Sequence, residues 1–411
     1  MHRTALLLLV PLLLVPLLLA CAPSEAPTPV GSALRDSPAG PAAEHAERMP
    51  RSRVPSLHTL SPPRTGVAPI PVDVLLRRVS IPGFGEADVG ILGQDIAVVE
   101  AAGKGAFNAD EIHDLQGRWL VPAFIDSHVH LVYLNEAKAL AEGGIAAAVD
   151  HAAPLSFFED DFTPLEVRGS GPMITPVGGY PTQSWGANGY GRESTGASEA
   201  VAAVHDLVAH GASLIKVALG HGPTFPPDVL AAIAEAAHSH GLPVSAHAVT
   251  DAEAHLARSL GADILAHTPV ERLSDLSVAA WSEGTVISTL AAFGGSSETI
   301  INLSHLRDAG TRILYGTDFG NATWPGIHPG ELAHMLEAGM SGGEILASGT
   351  SVPASFWKFP RHGNIGPGRA ASLLVLSEDP LSDPLTLAAP AGVLNEGKWL
   401  GTGGPGDEWG R

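Results

Sequence analysis

Short apolar runs alternate with alanine-rich segments between residues 121 and 362, and this alternation constrains the fold more than any other feature. The runs are rich in β-branched residues, which favours strands, whereas segments such as PPDVLAAIAEAAHSHG have the composition of helices. Strands that alternate with helices predict βαβ units and a parallel sheet. The stretch holds about 240 residues, close to the ~250 of an eightfold β/α barrel. We therefore predict an α/β fold with a (β/α)8 TIM barrel over residues 121–362.

The two flanks of this region have a different residue pattern. Residues 69–120 contain short apolar stretches broken by glycine, such as VDVLLRRVSI, and residues 363–405 contain LLVLSEDPL and AGVLNEGKWLG. This pattern is typical of short strands and hairpins. We expect the two flanks to pair into one small composite β-sandwich.

The N-terminus resembles a bacterial lipoprotein signal. Arg3 precedes an apolar run over residues 5–20, shorter than the ~20 residues that span a bilayer, and the run ends in Leu-Leu-Ala before Cys21. The resemblance implies removal of residues 1–20 and lipidation of Cys21, with a plain secretory signal as the alternative. Residues 21–68 are rich in proline and alanine and predict a tether. We expect a cell-envelope lipoprotein, at the periplasmic face or the outer membrane.

Charge and cysteine content limit the partners. The chain has 23 basic and 43 acidic residues, a formal net charge of −20, and no basic stripe. This argues against nucleic-acid binding and leaves the lipid anchor as the expected membrane contact. The single cysteine allows no internal disulfide, and a metal site must use His, Asp, Glu or a less ordinary ligand. The oligomeric state stays open.

The segment LVPAFIDSHVHL places His128 and His130 at the end of an apolar strand. Residues i and i+2 of a strand lie on one face, so both imidazoles can reach one ion. Such pairs are common by chance, and solvent-facing histidines are the alternative.

Lys216 lies inside the apolar strand signature GASLIKVALG, in a chain with only five lysines. Burial of an ammonium is costly unless it is paired or neutral. A neutral amine can react with CO2 to form a carbamate, an oxygen ligand able to bridge two divalent metals. The alternative is a snorkelling or ion-paired lysine.

Three further candidates also lie where apolar runs end: His247 in LPVSAHAVT, His267 in GADILAHTP and Asp318 in TRILYGTDFGN. At ~30 residues per β/α unit, Lys216 falls on strand four and Asp318 on strand eight, with His247 and His267 on strands five and six. IAAAVD, MITPVG and TVISTL then supply strands two, three and seven. All six candidates are thus expected at the barrel face that hosts active sites.

These motifs resemble the amidohydrolase superfamily, in its binuclear subgroup with a carboxylated lysine. LVPAFIDSHVH is similar to the opening motif of that family, and GNIGPGRAASLLVLSEDPL to its closing motif. The resemblance implies that His128, His130 and Asp318 hold the more buried metal. It implies that His247 and His267 hold the more exposed one, and that Lys216, as N6-carboxylysine, bridges both.

Three departures from the family pattern stand out. Ser372 replaces the aspartate of an Ala-Asp-Leu motif, and Tyr180 follows Gly-Gly where relatives often have histidine. The His-x-x-Glu of the deaminase branch is absent, because Glu271 is four residues beyond His267. This last departure argues against a deaminase.

The expected chemistry is metal-assisted hydrolysis of C–N bonds in a peptide, an amide or a cyclic amide. A hydroxide shared by two divalent ions attacks the carbonyl, and Asp318 acts as general acid/base. Zinc suits these ligands, with manganese or iron as alternatives. Aromatic loop residues suggest contacts to a small-molecule substrate, with ordinary loop anchoring as the alternative: Tyr180, Trp185, Tyr190, His221, Asn321 and Trp324.

Two other functions remain open at this point. The same metal pair could hydrolyse lactones or phosphoesters, and a barrel could also serve a lipoprotein that only binds a ligand. The complete set of six ligand candidates argues against the second of these.

Overall fold

The computed structural model of the chain describes residues 58–59 and 68–401. The predicted signal peptide, Cys21 and nearly all of the predicted tether lie outside the described residues. Within the tether, His58 forms an isolated parallel bridge with Ile365, and the Thr59 amide donates to the Ile365 carbonyl at 2.8 Å. Among the described helices, none is long and apolar enough to cross a bilayer.

The flanks of the chain pair into one eight-stranded sheet, in the order β18-β17-β16-β5-β1-β2-β3, with β4 also paired to β1. Its strands are β1 (Ile70–Ile81), β2 (Gly85–Leu92), β3 (Asp95–Ala101), β4 (Phe107–Asp114), β5 (Trp119–Pro122), β16 (Leu373–Leu376), β17 (Gly392–Asn395) and β18 (Lys398–Leu400). Strand β5 joins the halves, since it pairs antiparallel with β16 and parallel with β1.

Apolar side chains from both flanks pack into one core of this sheet, which includes Leu76, Val89 and Ile96 from the N-terminal flank and Leu373 and Leu394 from the C-terminal flank. Burial of such side chains contributes about 1.5–3 kcal/mol each. The two flanks therefore stabilise each other although they are far apart in the sequence.

Between the flanks, parallel strands form the barrel. These are β6 (Phe124–Val129), β7 (Ile145–Asp150), β8 (Glu166–Gly169), β9 (Met173–Pro176), β11 (Ile215–Ala218), β12 (Val244–His247), β13 (Ile264–Leu265), β14 (Thr285–Ile287) and β15 (Arg312–Leu314), with β10 (Gly191–Ser194) added beside β9. The first and eighth barrel strands meet where the Ser127 amide donates to Tyr315 at 2.9 Å and the His130 amide to Phe319 at 2.6 Å. The predicted fold class is confirmed.

The helices between and after these strands are α1 (Ala137–Glu142), α2 (Ala197–His210), α3 (Pro227–Ser239), α4 (Asp251–Ser259), α5 (Asp275–Ala280), α6 (Ser297–Ala309), α7 (Pro329–Glu337), α8 (Gly342–Gly349) and α9 (Ser351–Phe356). Three 3-10 segments complete the described secondary structure: Leu155–Glu159, Ala291–Phe293 and Pro384–Ala388. In α2 the buried residues Ala200, Ala203, Val204 and Leu207 recur at the helical period, so one face packs on the barrel core.

The third barrel strand differs from the prediction that MITPVG forms it alone. It is split into β8, which pairs with β7, and β9, which pairs with β11. Between them Gly171 has a φ of +66° and Pro172 has no amide hydrogen, so the strand cannot continue without a break.

Candidate metal centre

Ten of the twelve metal-ligand and substrate-contact candidates named from the sequence line one cavity of about 460 Å³ at the C-terminal ends of the barrel strands. They are His128, His130, Tyr180, Trp185, Lys216, His221, His247, His267, Asp318 and Asn321. The other residues of its wall are Met173, Gln183, Ser184, Ala292 and Phe293. The barrel therefore brings together side chains that lie far apart in the sequence.

Three of these side chains already form a metal-ligating geometry. The Nε2 atoms of His128 and His130 lie 3.6 and 3.1 Å from Oδ1 of Asp318. The ligand atoms of all three lie within 4.8 Å of one another, and all three residues are buried. Within residues 58–59 and 68–401, no other group of three His, Cys, Asp or Glu side chains meets this distance.

Backbone carbonyls orient the two imidazoles of this cluster. Nδ1 of His128 lies 2.8 Å from the Ala266 carbonyl, and Nδ1 of His130 lies 3.3 Å from that of Ala152. A carbonyl can only accept, so each Nδ1 carries the hydrogen and each Nε2 keeps its lone pair for a ligand. Burial, together with the neighbouring His151, holds the pKa of His128 well below its usual value and keeps the ring neutral.

The backbone sets the direction of the Asp318 carboxylate. Asp318 follows β15 and has a φ of +56°. This lies in the left-handed region, which aspartate adopts more readily than most residues other than glycine. Its amide donates to the His128 carbonyl at 2.9 Å, and its carbonyl accepts from Ala322 at 2.8 Å. The Asn321 side-chain amide donates to Oδ1 of Asp318 at 3.2 Å. These bonds hold the carboxylate over the two imidazoles.

Lys216 is 1% exposed, and its Nζ has no hydrogen-bond partner among the described residues. Burial lowers the pKa of this amine to about 7, while the charge of Asp318 opposes the shift. A substantial fraction of the amine is then neutral at neutral pH and can act as a nucleophile. This is the environment that the sequence predicted for a lysine that reacts with CO2.

His247 and His267 lie next to each other, with ring centroids 4.9 Å apart. Nδ1 of His267 lies 3.0 Å from the Thr289 hydroxyl, whereas Nε2 of His247 is buried without a partner in the described chain. Burial holds the pKa of both rings well below the usual value, so both are neutral and able to bind a cation.

The loop after His247 is fixed by a capping box at the start of α4. The Thr250 hydroxyl accepts from the Glu253 amide at 3.2 Å, and the Glu253 carboxylate accepts from the Val249 and Thr250 amides at 2.8 and 3.0 Å. The chain leaves the strand in a single direction, which sets the position of His247.

Aromatic side chains form one wall of the cavity. Nε1 of Trp185 donates to the Tyr180 hydroxyl at 2.8 Å, and the Tyr180 ring stacks on His247 at 4.8 Å. Burial raises the pKa of Tyr180 to about 12, so its hydroxyl stays protonated. Two of the other suggested contacts do not reach the cavity: Tyr190 lies behind Trp185, with ring centroids 5.4 Å apart, and Trp324 is 47% exposed.

The sequence analysis missed a buried layer beneath these ligands. Asp126 accepts from the amides of His128 and Thr317 at 3.0 and 3.1 Å, and burial raises its pKa to about 7. His151 stacks on His128 at 4.1 Å, and its Nδ1 lies 3.2 Å from the Ser245 hydroxyl. Both positions carried the signal used for Lys216, an ionisable residue inside or at the end of an apolar strand.

The departures from the family pattern have local explanations. Glu271 accepts a hydrogen bond from the Asp251 amide at 3.1 Å and does not line the cavity. The Ser372 hydroxyl donates to the Asn395 side chain at 2.7 Å and accepts from the Glu396 amide at 3.2 Å, so it connects β16 to β17. Glu271 is therefore no ligand candidate, and Ser372 has a structural role in the flank sheet.

The donor set fits divalent cations. Imidazoles and a carboxylate are common ligands of zinc, and the three-residue cluster is buried and preoriented. Next to it, Nζ of Lys216 and Nε2 of His247 are buried polar atoms without a partner within residues 58–59 and 68–401. Such atoms are costly unless a further group satisfies them, and a cation shared with a lysine carbamate would do so.

Comparisons with known proteins identify a family and several relatives. The sequence model of the Amidohydrolase family matches residues 119–402. An adenine deaminase of Deinococcus deserti is 25% identical over 326 residues, which cover 71% of this chain and 54% of that protein. An uncharacterized protein of Mycobacterium tuberculosis is also 25% identical, over 71% of this chain and 88% of its own length.

Among solved structures, a Xaa-Pro dipeptidase with bound methionine has a TM-score of 0.67 and 17% sequence identity. The alignment covers 79% of this chain and 99% of the dipeptidase. At this identity the likeness shows the fold. The chain spans about half of the adenine deaminase, so that protein's activity does not transfer with the match.

Proposed function

Because this chain belongs to the amidohydrolase family, we propose that it is a hydrolase of C–N bonds whose cavity binds two divalent metal ions. One observation carries the proposal: five side chains at or just beyond the ends of barrel strands line one cavity together with Lys216, a buried strand residue whose amine has no partner among the described residues. Deaminase and dipeptidase activities among the similar proteins support C–N hydrolysis.

The two ions have separate ligand sets in this proposal. His128, His130 and Asp318 hold one ion, and His247 and His267 hold the other, with N6-carboxylysine at position 216 as the shared ligand. The modification forms a bond between Nζ and the carbon of CO2 and releases a proton from nitrogen, which leaves one negative charge on the carbamate oxygens. The lowered pKa of Lys216 supports this step, because the neutral amine is the reactive form. We expect zinc in both positions.

The chemistry divides between the ions and the chain. When bound, divalent ions supply Lewis acidity, which lowers the pKa of water and polarises a carbonyl. Asp318 accepts the proton of the attacking water and returns it to the leaving nitrogen as general acid. Asn321 holds the carboxylate in place through its 3.2 Å hydrogen bond. The carbonyl contacts of the imidazoles keep their Nε2 atoms directed at the cavity.

The wall of the cavity points to a neutral substrate. Lys216 is the sole lysine or arginine among the residues that line it, and in the proposed state its charge is inverted. Tyr180, Trp185 and Phe293 offer ring faces, and Gln183 and Asn321 offer amides. The cavity therefore favours N-acyl or cyclic amides that carry a ring. It disfavours substrates whose free carboxylate must be paired with an arginine. A lactone is the second candidate, because the same water-activating site serves an ester carbonyl.

The experiment is a paired measurement on wild type and Asp318→Asn. Metal content is counted, and turnover is measured on dipeptides, N-acyl amino acids, cyclic amides and lactones. We expect wild type to bind about two ions and to hydrolyse amides, and Asp318→Asn to keep most of its metal while kcat falls by about 10³-fold or more. Asp308→Asn, which removes an exposed carboxylate, is the control. Equal turnover in Asp318→Asn would overturn the assigned base, and metal without turnover on any class would favour a binding protein.

The N-terminal features complete the proposal. We place the enzyme in the cell envelope, with Cys21 as the lipid attachment site and residues 21–68 as the tether. A Cys21→Ser variant that still fractionates with membranes would contradict the anchor.

A further inference from the structure

A second cavity, of about 630 Å³, lies at the opposite end of the barrel. Residues that precede or begin barrel strands, among them Ser213, Pro243 and Thr285, line it together with the end of α9. We name it the basal cavity and define it by its charged and ionisable residues: Arg168, His238, Arg258, Asp263, Glu283, Arg312 and Lys358. It shares no lining residue with the candidate metal centre.

Positive charge is concentrated in the basal cavity. Three arginines and a lysine line it in a chain whose formal net charge is −20 and which has 23 basic residues in all. Arg258, Arg312 and Lys358 form no ion pair with an acidic side chain within the described residues. Arg168 has one contact of this kind, 3.9 Å from Glu166, and that carboxylate also meets His362 at 3.1 Å. The cations are therefore left largely uncompensated.

Each of the three guanidinium groups is fixed on an aromatic ring. Arg168 lies 4.7 Å from the ring centroid of Phe359, Arg258 5.4 Å from Trp281 and Arg312 5.2 Å from Phe356. Stacking of this kind restricts the guanidinium plane, so less rotamer entropy is lost when the group binds an anion. The three cations are thus preorganised.

Hydrogen-bond donors remain free on these groups. Arg258 donates from Nε and Nη1 to the carbonyls of Ala280 and Ala262, and Arg312 donates from Nη1 to the Thr285 hydroxyl. Nε of Arg168 is buried and has no acceptor among the described residues. A buried donor without an acceptor is unfavourable, so this end of the cavity is incomplete without an acceptor from beyond the described residues.

The two acidic residues of the basal cavity differ in how they would affect a bound anion. Asp263 is occupied, because it accepts from the Val244 amide at 2.8 Å and lies 2.8 Å from Nε2 of His238. Glu283 is exposed on the wall and opposes an anion. It provides a test in which a substitution should strengthen binding.

We propose that the basal cavity binds a phosphate group. The planar fork of a preorganised guanidinium can donate two hydrogen bonds to two oxygens of a phosphate, and Lys358 adds a mobile point charge at the rim. The phosphate belongs either to a small soluble anion or to the headgroup of an anionic lipid, and the two sources are separated by experiment.

The first arm titrates the full-length protein with pyrophosphate by calorimetry. The test variant is Arg312→Gln with Lys358→Gln, both at exposed positions, and the control is Arg77→Gln with Lys138→Gln, exposed cations elsewhere. We expect the test variant to bind about tenfold or more weakly and the control to match wild type. We expect Glu283→Gln to bind roughly threefold more tightly, since a repulsive charge is removed.

The second arm uses the same proteins with the additional Cys21→Ser substitution, which removes the proposed lipid anchor, and measures cosedimentation with vesicles of phosphatidylcholine alone and with phosphatidylglycerol added. Loss of phosphatidylglycerol-dependent binding in the test variant, with no pyrophosphate difference, identifies the headgroup as the source. A pyrophosphate difference alone identifies a soluble anion. If the test variant binds as tightly as wild type in both arms, the proposal is wrong. Any binding that is measured then occurs outside the basal cavity, for example at bound metal.

Discussion

The two halves of the candidate metal centre differ in how the protein prepares them. In the half formed by His128, His130 and Asp318, imidazoles are held by backbone carbonyls and lie 3.1–3.6 Å from the carboxylate. In the half formed by Lys216, His247 and His267, the lysine Nζ and one imidazole nitrogen have no partner in the part of the chain that the structure describes. The first half has its ligand atoms together as folded, whereas the second, in the proposed function, gains its shared ligand only when Lys216 is modified.

This difference has a physical origin. Carbonyl contacts orient His128 and His130, and a left-handed backbone orients Asp318. Lys216 is constrained by burial alone. Burial destabilises the charged form of its amine, and the neutral form that results is reactive. The comparison predicts that the two ions differ in affinity and in their dependence on CO2.

The largest expected effect comes from Lys216→Ala. Without a shared ligand, the second half retains two imidazoles, so we expect the loss of about one ion per chain and a fall in turnover of several orders of magnitude. Metal analysis and kinetic assays check this. Lys398→Ala, which removes an exposed lysine from the flank sheet, is the control. Unchanged metal content in Lys216→Ala would contradict the bridging role.

The next effect concerns pH during reactivation of metal-free protein with bicarbonate and zinc. The folded-state pKa of Lys216 is lowered to about 7, so the neutral amine is scarce well below pH 7 and predominates above it. At a fixed CO2 concentration, we expect the reactivation rate to rise about tenfold from pH 6 to 8 and then to level off. A rate that keeps rising by tenfold per unit up to pH 10 would mean that the amine is not perturbed.

The same lowered pKa makes a stability prediction of known sign. Between pH 7 and the usual lysine value near 10.5, the unfolded chain binds more protons at this position than the folded chain. The free energy of unfolding of metal-free wild type should therefore rise with pH across this window, by one to a few kcal/mol. Denaturant titrations at pH 7 and 9 measure it, with Lys216→Met as the comparison. An equal slope in the variant would assign the pH dependence to other groups.

The smallest effect is expected from Thr289→Val. This substitution removes the hydroxyl that meets Nδ1 of His267 at 3.0 Å and keeps the side-chain shape. We expect the second ion to bind about tenfold more weakly and the first ion to be unaffected, as measured by competition with a chelator. Thr311→Val, which removes a buried hydroxyl bonded to the Trp281 carbonyl, is the matched control. Equal weakening of both ions would mean that the effect is not specific to His267.

The sequence was informative about the fold for a specific reason. Strand and helix periods are local, so the alternation between residues 121 and 362 could be read without knowledge of any contact. The split of the third strand was missed, although Gly171 and Pro172 are visible, because their effect depends on which neighbouring strand each half pairs with.

The candidate site could be predicted in part for a similar reason. Residues at the ends of parallel strands must face one end of a barrel, so spacing was enough to place Lys216, His247 and Asp318 together. Which loop side chains reach the cavity does not follow from spacing. For this reason the predicted contacts Tyr190 and Trp324 were wrong: neither residue lines the cavity.

By itself, the sequence determined which residues occupy strand ends, because hydrophobic periodicity is set residue by residue along the chain. Only the tertiary structure decided which polar atoms have partners. Lys216 and Arg168 each lie in a strand, and the lack of a partner among the described residues for Nζ of Lys216 and Nε of Arg168 results from what surrounds them after packing. The reason is that solvation and hydrogen bonding depend on neighbours in space, which the order of residues does not specify.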